Sequence, residues 1–140
     1  LKLREAPDGS YGLMIFDAFS SDAIPLHLLT REAFDIYLSK LHSRGWLAFH
    51  VSNLHLDLVP VLANLAADRG LVGYVRQDLL LSDADYAAGR SPATYVVLAR
   101  GDSDLLDLPQ RSGWSSIAPR AKGTVWTDDY ANVLSTLKWR

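Results

Sequence analysis

The run Tyr11-Gly12-Leu13-Met14-Ile15-Phe16 is continuously apolar and stops at a carboxylate, Asp17. A half-solvated strand alternates apolar and polar side chains. An unbroken run of this length instead reads as a strand buried on both faces, the habit of parallel sheets covered by helices. A chain containing such a strand needs at least two flanking layers. Its 140 residues, 49% of them hydrophobic, are enough for one compact domain with a sizeable core.

The rest of the pattern agrees with an α/β fold. From Thr30, a good N-cap, the apolar positions Ala33, Phe34, Tyr37, Leu38 and Leu41 recur at helical spacing, with Gly45 as the expected stop. Gly45 to Val51 reads as a second buried strand. Asp57 is the expected cap of a helix that turns Leu58, Val61, Leu62, Leu65 and Ala66 inward, tolerates Pro60 in its first turn and closes at Gly70. Leu71 to Val75 and Thr94 to Ala99 read as two more strands, separated by Ser82 to Pro92, a polar flap too long for a tight hairpin. Asp102 to Leu108 is expected as a short helix, Pro109 to Gly123 as a loop, and Thr127 as the cap of a last helix carrying Tyr130, a core residue, with Val133, Leu134 and Leu137. This order predicts parallel strands joined by right-handed crossovers, with ligands beyond the carboxyl ends of the strands. Asp17 and His50 stand at those ends.

Several function classes are disfavoured. Fourteen Lys and Arg, scattered among sixteen Asp and Glu, give a net charge of −2 and no footprint for nucleic acid or an anionic membrane. The absence of cysteine removes disulfides and thiolate chemistry and fits a reducing compartment. The longest apolar stretches, such as Val59 to Leu62, are far short of a membrane helix, and the first residues lack a signal-peptide core, so a cytoplasmic protein is expected. His50 and His55 do not have a zinc spacing, and no metal is expected. Ser20 and Ser21 lack the Gly-x-Ser-x-Gly elbow of hydrolases. Trp46, Trp114, Trp126 and Trp139 read as packing anchors, since no basic groove accompanies them.

The loop Asp17-Ala18-Phe19-Ser20-Ser21-Asp22-Ala23-Ile24-Pro25 places two carboxylates five residues apart after the first strand. Such a pair suits a dication. An alkylammonium, with a pKa of about 10, cannot attack an electrophile until a base removes a proton, and a neighbouring carboxylate can both attract and deprotonate it. The same carboxylate at a strand end can also serve only to accept backbone hydrogen bonds in the turn, and Asp22 can cap the segment that follows it.

Together, Ile15-Phe16-Asp17, Ser20-Ser21-Asp22, Leu28 to Phe34, Leu47 to Asn53 and Trp126-Thr127-Asp128-Asp129-Tyr130 resemble the spermidine synthases, in particular the synthase-like domains of bacterial fused transporter–synthase proteins. The resemblance spans nearly the whole chain. It implies a Rossmann-like sheet of the S-adenosylmethionine-dependent methyltransferase type and aminopropyl transfer from decarboxylated S-adenosylmethionine to putrescine. Asp17 would be the general base and Asp22 a diamine ligand. Ser20, Ser21, His50, Asn53 and Asp128 would line the substrate site. Asp128 and Asp129 can equally stabilise the start of the last helix through its dipole.

Two departures stand out. Ala18 and Phe19 are inserted relative to the family's compact Asp-Ser-Ser-Asp motif, which weakens Asp22 more than Asp17. The Gly-rich turn and ribose-binding acid of the nucleoside half do not occur in the sixteen residues before Asp17. The chain thus reads as a partial domain lacking the amino-terminal cosubstrate strands and expected to be inactive by itself. Its first strand would then be an apolar sheet edge able to pair with a second copy as a homodimer. Two other readings remain: a methyltransferase-like domain, since the fold is shared, and a non-catalytic polyamine-binding or interaction module.

Overall fold

The computed structural model describes residues 2–17, 25–53, 55–120 and 123–137. Its principal elements are β1 (Tyr11–Phe16), α1 (Arg31–Lys40), β2 (Leu41–His50), α2 (Val59–Asp68), β3 (Val72–Asp78), α3 (Asp83–Ala87), β4 (Ala93–Ala99) and β5 (Trp114–Ser116). The strands form one open sheet in the order β1-β2-β4-β3-β5. The fold is α/β, and the sheet is mixed rather than purely parallel. β1 and β2 pair in parallel, whereas β4 runs antiparallel to both β2 and β3, and β5 is antiparallel to β3.

Two apolar layers follow from strand alternation. Met14, Leu47, Phe49, Val96 and Leu98 meet Phe34, Tyr37, Leu62 and Leu65 of the two long helices in the main core. Phe49 stacks between Phe16 and Phe34, with ring centroids 4.5 and 5.7 Å away. Each such fully buried side chain contributes on the order of 2 kcal/mol by leaving water. Val97 and Ala99 point the other way, against Leu105 and Leu108 in two 3₁₀ turns, Asp102–Leu105 and Leu108–Gln110. These turns replace the single short helix expected over Asp102 to Leu108. Trp46 is fixed to them by its indole N–H, which donates to the Asp104 carbonyl at 2.7 Å.

β1 has the expected bounds but not the expected burial. It is an edge strand; Met14 is buried while Leu13 and Ile15 are 49% and 70% exposed. Its helix-facing side is covered, and its other face is open. Thr30 caps α1 as predicted, its hydroxyl oxygen accepting the Ala33 N–H at 3.2 Å. The helix does not run to Gly45, however. Leu41 already has extended backbone and opens β2, while Gly45 lies inside that strand where its pairing with β1 is interrupted, between Tyr11↔Leu41 and Leu13↔Trp46.

α2 begins one residue later than expected: Leu58 is the cap, and Asp57 accepts the Val59 N–H at 3.3 Å. Gly70 closes it with φ +66°. The segment expected as a flap contains α3, held by a reciprocal Ser82–Asp85 capping box and an Arg90–Asp85 ion pair of 2.6 Å. These hydrogen bonds and the neighbouring guanidinium hold the Asp85 carboxyl below its usual range.

The last helix is not formed. Thr127 bridges to Tyr130, a 3₁₀ turn occupies Val133–Thr136, and Leu137 bridges to Leu56. Tyr130, expected in the core, is 52% exposed, whereas Trp126 is fully buried. Among the described residues no helix is long and apolar enough to cross a membrane.

Candidate active site

Parallel pairing decides what stands beside Asp17. Phe16 is in register with Phe49, and both rings turn toward α1. One residue further along each strand, side chains turn to the opposite face, which places Asp17 beside His50. His50 Nδ1 lies 2.7 Å from Asp17 Oδ1. Two residues on, and therefore on the same face, Ser52 Oγ lies 2.6 Å from His50 Nε2.

The far end of this chain is anchored in the sheet. Ser52 Oγ accepts the backbone N–H of Thr94 at 2.8 Å, while the Thr94 carbonyl accepts the Val51 N–H at 2.9 Å. The serine side chain thereby continues the β2–β4 ladder beyond its last paired residue. On β4, Tyr95 pairs with His50 and stacks on its ring, with centroids 4.7 Å apart and planes 19° from parallel. The imidazole is consequently held at both nitrogens and on one face. Asp17 is the open end, its side chain 67% exposed against 20% for His50. An apolar groove of about 310 Å3, lined by Leu3, Tyr11 and residues 13–16, runs along β1.

The order Ser, His, Asp is that of nucleophilic triads. Here, though, Ser52 is half-buried and its oxygen receives the Thr94 N–H, so the hydroxyl is turned into the sheet end rather than toward an incoming acyl group. The exposed group is the carboxylate.

The other expected site residues divide. Asn53 is buried, and its side-chain oxygen accepts the N–H groups of both His55 and Leu56 at 2.8 Å, so it builds the turn after β2. Asp128 is at the start of α1: its carboxylate accepts the Thr30 hydroxyl at 2.7 Å and its N–H donates to Glu32 at 3.0 Å. These contacts do not join it to Asp17 or His50, and it does not begin a helix of its own. Ser20, Ser21 and Asp22 lie outside the described residues, as does Trp139. Among the described residues no group of three His, Asp or Glu side chains could hold a metal ion.

Tyr37 fixes the exit of the loop after β1. Its hydroxyl donates to the Leu28 carbonyl at 3.1 Å, its ring packs 4.5 Å from Phe16, and burial pushes its phenol up to about 12. Ser52 and Tyr95 are the site residues the sequence reading missed. The signal for Ser52 was present in the alternation His50-x-Ser52 at a strand end. That for Tyr95 was not, because the pairing of β4 with β2 is set by tertiary structure.

No protein-family model matches the chain, and no curated protein is significantly similar to it.

Proposed function

We propose that this chain is the amine-acceptor half of a spermidine-synthase-like aminopropyltransferase, with a partial Rossmann-like, methyltransferase-type sheet. Asp17 is the base, and putrescine or a related polyamine is the acceptor. The reading is of a cytoplasmic protein that joins this half to a nucleoside-binding segment supplying the decarboxylated S-adenosylmethionine site. The observation that carries it is the exposed Asp17 carboxylate, held by His50 at the carboxyl end of a strand. An exposed carboxylate with one oxygen already hydrogen-bonded suits an alkylammonium, whose charged end needs an anion.

In the reaction so assigned, Asp17 takes one proton from the ammonium of the acceptor. The freed lone pair attacks the carbon beside the donor sulfonium. The new C–N bond forms as the C–S bond breaks, the sulfur keeps the electron pair as methylthioadenosine, and the lengthened amine leaves as an ammonium. The carboxylate's part is to attract the cation and to supply a base where the amine would otherwise stay protonated.

The test is thermal unfolding with putrescine, spermidine and a neutral diol of similar length. Putrescine and spermidine should raise the midpoint and the diol should not, and the difference should disappear in Asp17→Asn. An equal response to all three, or one that survives in Asp17→Asn, would reject the amine site. Stabilisation that is specific for the diamine, in a protein unable to transfer an aminopropyl group when joined to a nucleoside-binding segment, would favour a polyamine-binding module.

A further inference from the structure

We infer that Ser52 is a positioning residue for the Asp17 base, acting by selecting one tautomer of His50. This rests on the reading of Asp17 as the amine-binding carboxylate. A serine hydroxyl has one proton to give and two lone pairs. One lone pair of Ser52 accepts the Thr94 N–H at 2.8 Å, a donor that cannot reverse. The hydroxyl proton is then left to meet His50 Nε2, 2.6 Å away. A neutral imidazole that accepts at Nε2 carries its proton on Nδ1, and Nδ1 faces Asp17 Oδ1 at 2.7 Å.

The alternative tautomer would aim the Nδ1 lone pair at an ionised carboxylate, with no proton between them. The Asp17 acceptor therefore favours Nδ1–H, and Ser52 favours it from the other end because its oxygen already accepts the Thr94 N–H and its own proton needs an acceptor; the Tyr95 ring holds the imidazole plane between them. The consequence at the base is directional. With Oδ1 occupied by the imidazole N–H, Oδ2 is the oxygen left to receive an ammonium proton. His50 takes no proton in the step; it orients the carboxylate that does. The device also tolerates a protonated His50, since the Ser52 hydroxyl can rotate and accept from Nε2–H through its second lone pair.

Ring-nitrogen NMR of the full chain labelled with nitrogen-15, recorded above the ordinary imidazole titration range, reads the tautomer directly. His50 should carry its proton on Nδ1, a pattern distinct from the Nε2–H form of a solvated histidine. Ser52→Ala should raise the share of the Nε2–H form, which Asp17 still opposes, and weaken putrescine binding about fivefold, the scale of losing one orienting hydrogen bond between neutral groups. Ser52→Thr, which keeps the hydroxyl, should restore both. Circular dichroism of the variants guards against a simple loss of fold. An Nε2–H tautomer in the unmodified protein, or an unchanged Nδ1–H tautomer in folded Ser52→Ala, would overturn the inference whatever putrescine does. An Nδ1–H tautomer that responds to Ser52→Ala in a chain that ignores putrescine would uphold the tautomer selection and reject the amine site alone.

Discussion

Thr30 and Asp128, far apart in sequence, share a 2.7 Å hydrogen bond at the start of α1. Thr30 accepts the Ala33 N–H with the same hydroxyl oxygen, so the cap of α1 is itself held by the carboxyl-terminal segment. Asp128→Ala should therefore lower stability by about 1 kcal/mol, the scale of a lost cap or hydrogen bond, measured by urea unfolding. The midpoint rise produced by putrescine should remain. The reverse pattern, full stability with the putrescine response lost, would return Asp128 to the amine site.

Arg31 and Asp68 join the start of α1 to the end of α2 through two hydrogen bonds, of 2.9 and 2.6 Å. The hydrogen bond from Arg31 holds the Asp68 carboxyl below its usual range, against the opposing effect of desolvation. A carboxylate whose folded pKa is depressed contributes stability above its unfolded value, about 4, and loses it as the pH falls through the folded value. Asp68→Asn should lower the urea midpoint at neutral pH, and the gap from the unmodified protein should close in acid below that range. A gap independent of pH would show that packing, not ionisation, is responsible.

Gly45 sits where β2 departs from regular pairing with β1. A Cβ there would lie 2.7 Å from Leu41 Cγ and 3.1 Å from the Gly12 carbonyl oxygen. Leu41 is buried, and the carbonyl belongs to the neighbouring strand, so neither yields without cost. Gly45→Ala should destabilise by about 1–3 kcal/mol, as overpacking does. An unchanged denaturation midpoint would contradict this.

The open face of β1 continues the expectation of self-association. Leu13 and Ile15 are exposed on the edge strand, while the opposite edge, β5, is only three residues long. We expect two copies to pair through β1, so that Ile15→Lys shifts the chain toward monomer in light scattering at micromolar concentration. A monomer before substitution would refute the pairing.

The parts of the fold legible in the sequence were those fixed by local rules. The bounds of β1 followed from its apolar run and the start of α1 from Thr30. Gly70 ended α2 because φ +66° suits glycine. The antiparallel insertion of β4 was not legible, since an apolar run does not encode its direction. Helical spacing failed at Tyr130, Val133, Leu134 and Leu137 because non-local ties hold that segment. Trp126 is buried in the main core, Asp128 is bound to Thr30, and Leu137 bridges to Leu56. At the site, Asp17 and His50 could be placed at strand ends, but their contact needed the register Phe16↔Phe49, and the turn-building contacts of Asn53 were not legible because such an amide looks the same in sequence as a ligand.

The central claim, an amine bound at Asp17 beside His50, is tested most directly by titrating putrescine into the labelled chain and following all four imidazoles. Saturable shifts of the His50 ring nitrogens, with His27 and His42 unmoved and the His50 response abolished in Asp17→Asn, are the predicted result. A His50 ring that does not respond to putrescine, or one that responds equally in Asp17→Asn, would contradict it.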